Sequence, residues 1–110
     1  MEGYEPRINS AMMGKFLGKT VRLPGRVIKH QDELLRVQAT DLGEVEVKLI
    51  RDTKLPDTYV EVIGTVLSDT TIKMKFISDM GDKINMEMVN GLIEASFQHP
   101  QIFHGSNYKH

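Results

Sequence analysis

The chain has 110 residues, a net charge of −1, a pI near 6.4 and no cysteine. Without thiols there are no disulfides and no thiolate chemistry. The near-neutral balance argues against a chain that lives mainly by gripping phosphate backbones, which calls for a strongly basic domain or stripe.

At this length one domain is expected, and no apolar run is long enough to span a bilayer. Residues 1–8, "MEGYEPRI", lack periodicity and read as an extended arm. Asn9 or Ser10 can cap a short helix, in which Met12, Met13, Phe16 and Leu17 recur at helical spacing and Gly18 suits the end. A helix this short needs packing to persist. From Lys19 the period changes to two. "TVRLPGRVIKH" puts Val21, Leu23 and Val27 on one face, with a sharp bend or bulge expected at Gly25. Pro24 has no N–H and is expected on the non-paired side of its strand or at that bulge. "LLRVQAT" alternates Leu35, Val37 and Ala39; Asp41–Gly43 is a turn; "EVEVKLI" alternates Val45, Val47 and Leu49 against Glu44, Glu46 and Lys48.

Arg51–Asp57 is a loop. "YVEVIGTVL" brings Val60, Val62 and Val66 into step, with a bend expected at Gly64. Ser68–Thr70 is a tight connection, and "TIKMKFI" is predicted to send Ile72, Met74 and Phe76 inward. Ser78–Lys83 reads as a turn. Residues 84–98, "INMEMVNGLIEASFQ", predict a helix capped by Asn85 and stopped by His99–Pro100. The tail "QIFHGSNYKH" has no element of its own. Five short strands with bend-forming glycines in the first and fourth predict a mostly β protein. The architecture is the five-stranded, partly open Greek-key barrel of the OB-fold, with a short N-terminal helix and a C-terminal helix. The predicted division is an arm over 1–8, barrel and leading helix over 9–83, C-terminal helix over 84–99 and tail over 100–110.

Catalytic chemistry is not legible. His30, His99, His104 and His110 are scattered, and no helical His-x3-His pair or cysteine offers a zinc ligand set. There is no Gly-rich phosphate loop and no Gly-x-Ser-x-Gly elbow. Glu44, Glu46 and Glu61 are read as solvated residues on the polar faces of strands. Neither an enzyme nor a cofactor is expected.

An OB-fold commonly presents strands two and three and two flanking loops to single-stranded nucleic acid. Affinity there comes from aromatic stacking beside a basic groove. "ELLRVQATDLGEVEVKLI" contains no aromatic residue, and its flanking loops are short. Arg36 and Lys48 are the weak nucleic-acid candidates, and Glu44 and Glu46 offset them. Autonomous tight binding is therefore not expected. On a helical wheel with Met86 at zero, Asn90, Glu94, Glu87, Gln98 and Gly91 fall between about 40° and 140°, and apolar or small residues fill the remaining arc of roughly 200°. A helix that only covers its own domain needs a narrower stripe. The surplus is a contact surface for another helix; the competing reading is a generous arc that merely plugs one end of the barrel.

Three stretches in order, "PRINSAMMGKFLGKTVRLPGRV" (Pro6–Val27), "VEVIGTV" (Val60–Val66) and "MVNGLIEASFQHPQIF" (Met88–Phe103), resemble one family. It is that of the smallest subunit of replication protein A, the eukaryotic heterotrimer that binds single-stranded DNA. The resemblance implies a nuclear assembly subunit whose C-terminal helix packs in parallel with one helix each from the middle and large subunits. The complex protects single-stranded DNA in replication, repair and recombination, and the small subunit has little or no direct DNA contact. The resemblance assigns Met88, Val89, Leu92, Ile93 and Phe97 to the partner helices, while the wheel does not separate partner-facing from barrel-facing positions. The chain departs from the family pattern in a shorter middle region and in Gly91, which costs about 1 kcal/mol against alanine within a helix. Two alternatives stand beside this reading: the small OB-fold subunit of the telomere-capping trimer, and an autonomous weak binder of single-stranded nucleic acid.

Overall fold

The alternating apolar residues of the five predicted strands, Phe76 excepted, turn into a single core. The computed structural model describes residues 5–51, 53–56 and 58–98. Strands β1 (Thr20–Gln31), β2 (Leu34–Ala39), β3 (Glu44–Lys48), β4 (Tyr59–Val66) and β5 (Thr71–Gly81) close a barrel in the order β1-β2-β3-β5-β4. Every pairing is antiparallel except β3 with β5. Val21, Leu23, Leu35, Val37, Val45, Val47, Val60, Val62, Val66 and Ile72 fill the interior. Burying such side chains is the main favourable contribution to folding. The architecture is the predicted OB-fold barrel.

The irregularities fall partly elsewhere than the glycines suggest. Gly25 stays in register with Ala39 and Val60. A Cβ there would lie 2.8 Å from the Gln38 carbonyl oxygen, so Gly25 permits a close approach of β1 and β2 rather than a bulge. The bulge in this pair is at Ile28, which the register skips between Val27 and Lys29. Val27 donates its N–H to Thr58 on the β4 side at 2.8 Å. Alternation then aims the Pro24 nitrogen away from β4, to where β2 has already ended at Ala39. The missing donor costs no ladder bond.

At Gly64 the predicted irregularity is present. The register shifts from Ile63↔Phe76 to Gly64↔Met74, leaving Lys75 as an extra residue in β5. A Cβ at Gly64 would collide with the Lys73 carbonyl oxygen. The extra residue reverses the alternation beyond it. Phe76, expected inward, is 58% exposed, and Ile77 packs on the core instead. β5 also runs through the expected turn at Ser78–Lys83 as far as Gly81, because β4 continues to pair with it (Val60↔Asp79, Tyr59↔Gly81).

The arm docks where it is described. Ile8 donates its N–H to the Arg22 carbonyl and Arg22 donates to the Pro6 carbonyl, both at 2.9 Å. Ile8 is a core residue. The neighbouring Arg7 reaches over β4, and its Nε donates to Glu61 Oε2 at 2.6 Å. Glu61 is therefore buried and paired, not solvated as its strand position implied. The leading helix is a 3-10 helix over Ser10–Phe16, and Asn9 makes no side-chain cap. Instead the Asp41 carboxylate accepts from the N–H groups of Ser10 (3.2 Å) and Ala11 (3.0 Å) and from the Ser10 hydroxyl (2.8 Å). The Asp41–Gly43 turn thus caps a helix some thirty residues upstream (|i−j| of 31 and 30). Helix α1 (Met86–Gln98) begins as predicted, with Asn85 Oδ1 accepting from the Met88 N–H at 2.9 Å. The expected stop at His99–Pro100, the tail and residues 1–4 lie outside the described residues.

Candidate assembly surface on the C-terminal helix

Three features tie one side of α1 to the barrel. Asn90 Oδ1 accepts from Asn9 Nδ2 and from Thr40 Oγ1, each at 2.8 Å. Asn9 and Thr40 are both buried, so each bond satisfies a donor that would be costly to strand. Phe97 meets Phe16 of the 3-10 helix edge-to-face, with ring centroids 5.8 Å apart. Ile93 is 3% exposed. On the wheel Ile93, Phe97 and Asn90 lie within roughly 60° of one another, which defines the docked side.

The wheel grouped Asn90 with Glu94, Glu87, Gln98 and Gly91, outside the apolar arc. In the fold it is the polar anchor of the docked side. A sequence signal existed: Asn90 stands four residues after Met86, three before Ile93 and seven before Phe97, the spacing of one helix face. What the sequence could not supply was its partner, Asn9, at the other end of the chain.

Opposite the docked side, Met88 and Leu92 are 61% and 57% exposed. They stand one turn apart (i, i+4) and form a continuous apolar ridge. Gly91 lies beside it, and a Cβ there would meet nothing within 4 Å. The five residues assigned to partner helices therefore divide. Met88 and Leu92 face outward, Ile93 and Phe97 lie on the docked side, and Val89, half-buried, lies on its flank. Two apolar sides on one helix account for the wide arc: one packs on the barrel, and the other is left exposed among the described residues.

The β2–β3 face offers much less. Arg36 is exposed and stands 3.7 Å from Glu44, a weak surface pair. Lys48 is exposed, between Leu34 of β2 and Lys73 of β5. A shallow depression beside Arg36 is lined by Lys29, Asp32, Leu34 and Glu46. None of the residues of β2 or β3 is aromatic. Among the described residues no group of three His, Cys, Asp or Glu side chains is placed to hold a metal.

Known proteins bear on this arrangement. The model of the family "Replication factor A protein 3" matches residues 1–103. The S. pombe replication factor A protein 3 is 28% identical over 104 residues, spanning 94% of this chain and 98% of its own length. Among solved structures, U. maydis replication protein A bound to single-stranded DNA contains a chain that is 34% identical, with TM-score 0.86, covering 94% of this chain and 98% of that one. The S. pombe Stn1-ten1 complex shares the fold at TM-score 0.70, with 15% identity over 89% of this chain and 96% of that chain. With the family match running from the docked arm through α1, the chain belongs to the replication factor A protein 3 family.

Proposed function

We propose that this chain is the assembly subunit of a heterotrimeric single-stranded DNA-binding complex. It contributes α1 to a three-helix bundle with one helix each from the middle and large subunits. The observation that carries the proposal is the Met88–Leu92 ridge, exposed on a helix that is already anchored to its barrel through the opposite side. Two large apolar residues in one exposed row are costly to leave in water and suit a helix packed alongside. Methionine adapts its shape to such a contact. Support for the DNA-binding context comes from the relative in U. maydis replication protein A, whose structure holds single-stranded DNA. The proposed setting is the nucleus, in replication, repair and recombination. The telomere-capping alternative draws on relatives that share only the fold, and the higher identity to a replication protein A chain favours the replication complex.

The test is co-expression of a Met88→Glu/Leu92→Glu variant with the middle and large subunits. The variant is expected to drop out of the complex, while the isolated chain keeps its circular dichroism and its melting temperature. A complex that assembles normally refutes the proposal. For the isolated parent chain, titration with oligo-dT at moderate salt is expected to show no submicromolar binding; finding it supports the autonomous binder instead.

A further inference from the structure

The bulge at Lys75 creates a surface that the sequence hides. Phe76, turned outward, stands beside Ile63 of β4, and Ile63 stands beside Arg22 of β1. The next outward row runs Lys48, Lys73, Thr65, Thr20 across four strands. Lys75 reaches into that row, donating from Nζ to Thr20 Oγ1 at 3.2 Å. The outer face of β1, β4 and β5 therefore carries an exposed aromatic ring with an arginine on one side and lysines on the other.

The charges on this face are uncompensated. Lys48, Lys73, Lys75 and Arg22 form no ion pair among the described residues. Among the described residues the buried Nε of Arg22 has no acceptor. Lys48 and Lys73 stand side by side on neighbouring strands, where like charges repel. Glu61, the carboxylate on the adjoining row, is buried and held by Arg7. On the other side Glu46 lies opposite Arg36. A polyanion would relieve this repulsion, and the ring points to one kind of polyanion. Lysines alone would suit any acidic polymer, whereas an exposed aromatic among them is a stacking platform for unpaired bases.

We propose that the outer β1–β4–β5 face is a weak binding site for single-stranded nucleic acid, with a base stacked on Phe76 and phosphates over Lys73, Lys75 and Arg22. This site is centred on β1, β4 and β5 and meets the β2–β3 face usual for the fold only at its edge, where Lys48 of β3 stands beside Lys73. It does not depend on the assembly role of α1.

The experiment is a fluorescence titration of the full chain with labelled oligo-dT about 16 nucleotides long, at several salt concentrations. At low salt the parent chain is expected to bind with a Kd on the order of 10 µM. Phe76→Ala should weaken binding roughly fivefold or more. The Lys73→Gln/Lys75→Gln variant should lower the slope of log affinity against log salt by about 0.7 per lysine. Arg36→Gln, on the other face, should bind as the parent does. All of these positions are exposed, and unchanged melting curves separate binding from folding effects. The proposal is overturned if the parent shows no binding, if Phe76→Ala binds as tightly as the parent, or if polyglutamate competes as well as oligo-dT.

Discussion

Leu92 and Ile93 are neighbours in sequence and similar in size, and the fold assigns them opposite consequences. Ile93 is 3% exposed. Truncating a buried isoleucine to alanine costs about 2–5 kcal/mol. Ile93 lies under a peripheral helix that can settle into part of the space, so Ile93→Ala should fall near the low end, about 2–3 kcal/mol. Leu92 keeps 57% of its surface exposed. Full burial of a leucine side chain is worth roughly 1.5–3 kcal/mol, so covering the exposed part by a partner is worth about 0.9–1.7 kcal/mol. At a factor of ten per 1.4 kcal/mol, Leu92→Ala should weaken assembly by about four- to twentyfold. It should leave the isolated chain within about 0.5 kcal/mol of the parent, as other exposed substitutions do. Urea unfolding followed by circular dichroism measures the first effect, and amide exchange along α1 tells local undocking from global unfolding. Calorimetric titration with the other two subunits measures the second. If Leu92→Ala destabilises the isolated chain as much as Ile93→Ala does, or leaves assembly unchanged, the assignment of the two faces is wrong.

Two other positions test how the barrel is held. Asp41→Ala removes the acceptor for both N–H groups at the start of the 3-10 helix and should cost about 1–2 kcal/mol by urea unfolding. The glycines of β4 and α1 should respond with opposite signs. Gly64→Ala forces a Cβ against the Lys73 carbonyl and should cost about 3 kcal/mol. Gly91→Ala meets nothing within 4 Å and should stabilise the isolated chain by about 1 kcal/mol. That gain raises the melting temperature by several degrees, and calorimetry measures both changes.

The sequence by itself determined whatever repeats locally. Val45 and Val47 against Glu44 and Glu46 can bury their apolar set in only one way, because strand side chains alternate. The same holds for Leu35, Val37 and Ala39, and for Val60 and Val62. Asn85 announced the start of α1 because a cap acts within three residues. The width of the apolar arc on α1 was also legible, since it depends only on helical spacing.

What the tertiary structure decided depended on residues far apart in the chain. The outward turn of Phe76 follows from where β5 slips against β4, which no pattern within β5 encodes. Glu61 is buried because Arg7 folds over it from a position 54 residues away. Asn90 belongs to the docked side of α1 because Asn9, 81 residues distant, and Thr40 donate to it. Periodicity states which residues share a face. Only the closed barrel states what covers that face, and that separates the helix residues held by the chain itself from the exposed Met88–Leu92 ridge.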